Sequence, residues 1–231
     1  MIKVVIFDID NTLYNFDAAH QVALGALLDY AQQELGIASE EFQRLYKDMN
    51  RELTKRMGSC AAIHNRLIRC QNILERLDKP IGHALQMSDL YWNTLLDVMK
   101  PSPGAAETVQ RLKAQGMKLG VGTDMTARMQ FAKLERLGLL PYIDFLVSSE
   151  EAQAEKPDPA LFDLCVQKAG VRPEECLFVG DNLKKDVHGA QAAGLQALWY
   201  RPQGVPEGTA EQTITALEQL PALLEAWQTA D

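Results

Sequence analysis

The chain is poor in cysteine, in aromatic residues and in long apolar runs, and its basic side chains are outnumbered. Four cysteines (Cys60, Cys70, Cys165 and Cys176) in 231 residues are too sparse for a disulfide framework, and none stands in C-x-x-C spacing. Reduced, packed thiols in a cytoplasmic protein are the expectation. No apolar stretch approaches the roughly 18 residues of a membrane span, so no membrane partner is expected. The opening MIKVVIFDID meets two aspartates before a signal-type apolar region could form. Lysine and arginine total 23 against 31 acidic residues, a net charge of −8. That balance argues against a nucleic-acid partner, because such binders neutralise phosphates with clustered cations. It leaves room for small phosphorylated molecules, which need only a local cationic pocket.

What remains is an ordinary globular composition, long enough to bury a proper core. Residues 2–7, IKVVIF, form a short β-branched run of the kind buried on both faces of a sheet. Similar runs recur at Lys118–Gly122, Ile143–Val147, Cys176–Val179 and Leu195–Trp199. Helical patterns separate them. Val109 and Leu112 follow Ser102 as N-cap, with Pro103 at the first helical position. Phe131, Leu134 and Leu137 are closed by Gly138; Leu161, Leu164 and Val166 precede Gly170; Val187, Ala190 and Ala193 precede Gly194. A loop and an apolar helix around Leu220–Trp227 end the chain. Strands alternating with helices imply βαβ units and a doubly wound parallel sheet, an α/β fold.

The interval 16–100 carries helical periodicity and no strand. One stripe (Leu24, Leu27, Leu28, Ala31, Leu35) ends at Gly36, and a second (Phe42, Leu45, Tyr46, Met49, Leu53) follows an N-cap at Ser39. A third (Ile63, Leu67, Cys70, Leu74, Leu77) and a fourth (Met87, Leu90, Tyr91, Leu95, Met99) complete an inserted four-helix bundle. The expected organisation is an α/β core of residues 1–15 and 101–231, with a helical insertion at 16–100 and hinges near Tyr14–Asp17 and Lys100–Gly104.

The first strand runs into Asp8-Ile9-Asp10-Asn11-Thr12. Extended geometry points Asp8 and Asp10 the same way, at the strand end where open α/β sheets place ligands. Two carboxylates so close need a cation or a shared proton, and an all-oxygen site favours Mg²⁺. A second acidic group, Gly180-Asp181-Asn182-Leu183-Lys184-Lys185-Asp186, follows the fourth run. Parallel strands bring such ends to one edge, so Asp8, Asp10, Asp181 and Asp186 can meet there. Any one of them alone reads as a helix cap or loop residue; together they point to a site. Thr123 ends the second strand with a hydroxyl donor. Lys156 precedes the rigid Pro157-Asp158-Pro159. A hydroxyl and a cation suit the oxygens of a phosphoryl group.

The order D-x-D-N-T, Thr after a strand, K-P, then G-D-x4-D is similar to the four motifs of the haloacid dehalogenase-like superfamily. The likeness runs from Ile2 to about Tyr200. FDIDNTL, LERLGL, YID and EKPDPALF resemble its phosphatase branch, and the insertion resembles that superfamily's helical cap. The resemblance implies a Mg²⁺-dependent phosphatase of small phosphate monoesters, such as a nucleotide, phosphoglycolate or a sugar phosphate. Asp8 would be the nucleophile, forming an aspartyl-phosphate. Asp10 would protonate the leaving oxygen and then accept a proton from water, its backbone carbonyl touching the metal. Thr123 and Lys156 would hold phosphoryl oxygens. Asp181 would ligate Mg²⁺, with Asp186 in or next to the metal shell. A departure follows Thr123: Asp124-Met125-Thr126 stands where related phosphatases often carry Asn-Gly, and Asp124 reads as a cap of the next helix.

The leaving group should face the lid. Arg51, Arg56, His64, Arg66 and Arg69 could bind a second anionic group there, although an exposed polar helix face explains each of them more simply. Phe16, Asp17 and His20 are candidates by chain proximity, and Tyr91 and Trp92 read as bundle core. A phosphomutase would share this core. A dehalogenase would lack Asp10, a phosphonatase would need a buried cap lysine among Lys47 and Lys55, and an inactive regulatory module should have lost a motif residue. A monomer or homodimer is the expected state.

Overall fold

The computed structural model describes residues 1–229. Six parallel strands form one sheet in the order β3-β2-β1-β4-β5-β6. They are β1 Val4–Phe7, β2 Lys118–Thr123, β3 Phe145–Ser148, β4 Cys176–Gly180, β5 Gln196–Tyr200 and β6 Thr213–Ile214. The sequence runs locate the first five, with ends moved by one or two residues. Strand β6 is only two residues long, inside what reads as a loop, so no periodicity announces it.

All four residues of β1 are at most 1% exposed. Val4 and Ile6 share a cluster with Leu161, Phe162, Cys165 and Phe178; Val5 and Phe7 alternate to the other face. Helices cover both faces. They are α5 Ala105–Ala114, α6 Ala127–Arg136, α7 Ser149–Ala152, α8 Pro159–Ala169, α9 Gly189–Ala192 and α10 Gln219–Thr229, counted after four helices of the insertion. Helix α8 packs on β2 and β3, α5 on β2, and α10 on α5. The α/β fold is therefore a doubly wound parallel sheet.

Three local readings are corrected. Helix α5 is capped at Gly104 rather than Ser102: Gly104 sits at φ 71°, a left-handed conformation that glycine adopts without steric cost, and Pro103 falls outside the helix. Ser39 is the first helical residue of α2, and Ala38 is the cap. Phe131 is 47% exposed; the inward stripe of α6 is Gln130, Lys133 and Leu134.

Residues 16–99 form a second compact unit, and residues 1–15 with 100–231 form the first. The second holds α1 Phe16–Leu35, α2 Ser39–Met57, α3 Arg66–Arg76 and α4 His83–Val98. Each packs on its neighbours and α1 packs on α4, which closes the ring. Asn65 caps α3, accepting from Leu67 and Ile68 N–H. No described helix is long and apolar enough to cross a membrane.

Candidate active site

Register builds the site. Phe7 is level with Val121 of β2 and Val179 of β4, so the next residue, Asp8, stands beside Gly122 and Gly180 at the carboxyl edge of the sheet. The Asp8 N–H donates to Val179 O at 2.9 Å. Both neighbours being glycine leaves room for side chains from farther along the chain. A Cβ on Gly180 would lie 2.4 Å from Asp186 Cγ, so only glycine lets Asp186 fold back onto the strand end. A π-helical segment, Leu183–His188, carries Asp186. Asn182 N–H donates to Asp186 Oδ2 at 2.9 Å, and Trp199 Nε1 donates to Asp181 O at 2.7 Å. These two bonds fix the turn.

Asp8, Asp181 and Asp186 each offer an oxygen within 4.8 Å of the others. Lys156 Nζ lies 2.7 Å from Asp8 Oδ1 and 2.7 Å from Asp186 Oδ1. Asp8, Lys156 and Asp186 are buried. Burial, then Asp186, Asp181 and Asp10, raise the Asp8 carboxyl well above the usual range, against the pull of Lys156. Burial and Asp186 push Asp181 up to about 7. Lys156 is raised despite its burial, by Asp186, Asp8 and Asp124. One lysine among three carboxylates leaves an excess of negative charge in a low-dielectric place. Hard oxygen donors with that excess fit a divalent cation such as Mg²⁺.

Asp10 stands apart from this group. Lys133 Nζ, fully buried, donates to both of its oxygens at 2.6 and 2.9 Å. Tyr14 Oη donates to Oδ1 at 2.6 Å. Burial works against the ionised form, but Lys133 and Tyr14 hold Asp10 below its ordinary pKa. The relief of its charge is thus a lysine rather than a shared metal. Thr123, 1% exposed, accepts from Gln130 Nε2 at 2.6 Å and donates to Asp124 O at 3.3 Å. Asp124 does not cap α6; it accepts from Lys156 N–H at 2.9 Å and pairs with Lys185 at 2.8 Å. The Asp124 charge is neutralised by Lys185, and its two bonds tie two motif segments together.

Lys133, Gln130, Tyr14 and Lys185 escape a reading of motifs. The signal for the first two was present: Gln130, Lys133, Leu134 and Leu137 are spaced i, i+3, i+4, i+7, so two polar residues lie on the inward face of α6. A charge on such a face needs a partner inside.

A doubly wound sheet that gathers three acids and a lysine at its carboxyl edge defines an α/β enzyme core with a cation-ready acidic site. The chain belongs to the haloacid dehalogenase-like hydrolases, whose family profile matches residues 2–194. It is 37% identical over 224 residues to a ribulose-1,5-bisphosphate 5-phosphatase of Halopiger xanaduensis, covering 95% of this chain and 93% of the relative. It is 35% identical to a glyceraldehyde 3-phosphate phosphatase of Methanopyrus kandleri, covering 87% and 84%. Among solved structures, a 2-haloacid dehalogenase from Pseudomonas syringae superposes with a TM-score of 0.78 at 30% identity, covering 98% of this chain and all of that one.

Proposed function

We propose that this protein is a Mg²⁺-dependent phosphatase of small phosphate monoesters, working through an aspartyl-phosphate on Asp8. The observation that carries the reading is the cluster of buried Asp8, Lys156 and Asp186 with half-buried Asp181. Two curated relatives that share most of this chain are named as phosphatases of small sugar phosphates, which supports the same substrate class here.

An Asp8 oxygen attacks phosphorus, the bond to the ester oxygen breaks, and an acyl phosphate forms. Water then attacks that phosphorus, releasing inorganic phosphate and restoring Asp8. Lys156 positions Asp8 and offsets its charge. Thr123, on turning its hydroxyl away from Asp124 O, donates it to a phosphoryl oxygen. Asp8, Asp181 and Asp186, with the Asp10 carbonyl, would hold Mg²⁺, which supplies neutralisation of phosphoryl charge. Asp10, protonated from solvent against the hold of Lys133, gives its proton to the leaving oxygen, and the carboxylate so formed, favoured by Lys133, accepts the proton of the attacking water. The residues 16–99 are read as the cap of this core.

The test is Asp8→Asn in the full chain. Phosphate release from an aryl phosphate is expected to fall to background while the circular dichroism spectrum stays that of the wild type; retained turnover contradicts the nucleophile assignment. The likeness to a dehalogenase structure gives a second measurement: chloride release from 2-chloropropionate is expected to be absent, because a dehalogenase is expected to lack the second motif aspartate and Asp10 is present here.

A further inference from the structure

Helix α3 buries Arg66, Arg69, Cys70, Ile73 and Leu74, the i, i+3, i+4, i+7, i+8 stripe of an inward face. Two of the five are arginines, 4% and 5% exposed, where an exposed polar face was expected. Enclosing a guanidinium costs several kcal/mol unless a counter-charge compensates it. Among the described residues neither arginine forms an ion pair. Arg51–Asp48 and Arg76–Glu52 pair elsewhere in this unit, both exposed.

The two guanidiniums meet only neutral groups. Arg66 donates to His64 O at 2.8 Å and to Tyr91 Oη at 3.1 Å. It lies 4.7 Å from the Tyr91 ring centre and 5.1 Å from that of Trp92. Arg69 donates to Ile63 O at 3.2 Å and to Asn50 Oδ1, and lies 4.8 Å from the Tyr46 ring. The Nε atoms of both are buried with no partner. Cation–π stacking accounts for the ring contacts; it leaves both Nε donors idle and the two positive charges uncancelled. The surroundings register that charge. Burial, then Arg66 and Arg69, depress His20 to about 4, and Asp17 offsets only part of this. Burial and Arg66 likewise lower Arg69.

We propose that Arg66 and Arg69 are an anion site of the helical unit, built for a phosphate or carboxylate group of a small metabolite. A planar guanidinium presents Nε–H beside Nη–H in the fork that suits such oxygens, and Nε is the donor both arginines leave unused. The assignment does not depend on the phosphatase reading, because binding can be followed without turnover.

The experiment is thermal unfolding of the full chain in rising sodium sulfate, against sodium chloride at equal ionic strength. It compares wild type, Arg66→Lys, Arg69→Met and Lys156→Gln. A saturable rise in the midpoint is expected for wild type and Lys156→Gln. The half-saturating sulfate concentration should increase roughly tenfold or more in each arginine variant, as expected for losing a charge-assisted hydrogen bond. Arg66→Lys keeps the charge and loses the fork, so it reports even where Arg69→Met does not fold. An equal response in wild type and both arginine variants, a response lost only in Lys156→Gln, or an unsaturating rise shared by all would each overturn the site. A kinetic arm, which does rest on the phosphatase reading, distinguishes two sources of the anion. If KM rises for a sugar bisphosphate and not for an aryl phosphate, the anion belongs to the substrate; if neither KM moves while sulfate binding is lost, the ligand is a separate anion. Both outcomes uphold the site.

Discussion

At the scale of single residues, Lys133 carries the most information beyond the motifs. It spends a fully buried ammonium on one carboxylate, Asp10, and so sets the protonation of the proposed acid–base residue. Lys133→Met removes that hold. Turnover is expected to fall, by less than the about 10²–10⁴-fold that an acid–base residue itself contributes and that Asp10→Asn would remove. The diagnostic readout is the pH profile of kcat/KM. Because Lys133 depresses Asp10, its loss lets the Asp10 pKa rise, and the acid limb moves to higher pH. A limb left where it was would separate Lys133 from the chemistry.

At the scale of elements, the end of β4 and the segment after it act as one piece. Gly180 exists in its present form because Asp186 occupies the place of a Cβ. Gly180→Ala is expected to push Asp186 off its position and weaken Mg²⁺ affinity about 10–100-fold, measured by titrating Mg²⁺ against activity. Unaltered Mg²⁺ dependence would remove Asp186 from the metal shell. In the helical unit, His20 on α1 makes a second element-level prediction. Its Nδ1 meets Tyr91 Oη at 2.7 Å, joining α1 to α4. The folded pKa near 4 lies below the ordinary 6.5, so between those values the unfolded chain binds the extra proton. Stability is therefore complete above about pH 6.5 and declines as pH falls toward 4. Thermal unfolding followed from pH 7 to pH 4.5 should show a smaller loss in His20→Gln than in wild type.

For the molecule as a whole, the acidic edge is expected to make stability depend on a divalent cation. Asp8 and Asp181 are raised by burial and by neighbouring carboxylates, an unfavourable arrangement that a bound divalent ion relieves. Mg²⁺ is expected to raise the unfolding midpoint, by about 2.7 kcal/mol of stability at a hundred times its Kd. EDTA should return the midpoint and abolish phosphate release, and Asp181→Asn should respond weakly to either. Activity that survives chelation would remove Asp181 from its assigned role. The family's chemistry sits on a sheet edge that many folds share, so the function rests on these side chains and not on the architecture.

The sequence by itself determined the alternation of apolar runs and helices, the all-helical nature of 16–99, and the order of the acidic motifs, because each is local: a strand's burial and a helix's period are written in neighbouring residues. It also set Asp8, Asp10, Asp181 and Asp186 at or just past ends that parallel strands bring to one edge, and the structure groups three of them, leaving the Asp10 carboxylate with Lys133. Only the tertiary structure decided which charges meet. Lys133 finds Asp10 across 123 residues of chain, Asp124 holds Lys185 where a helix cap was expected, and Arg66 and Arg69 turn inward where a polar surface was expected. Those pairings depend on helix rotation and on partners distant along the chain. A rotation of one residue, about 100° on a helix, moves a side chain from solvent to core, and a motif does not record it.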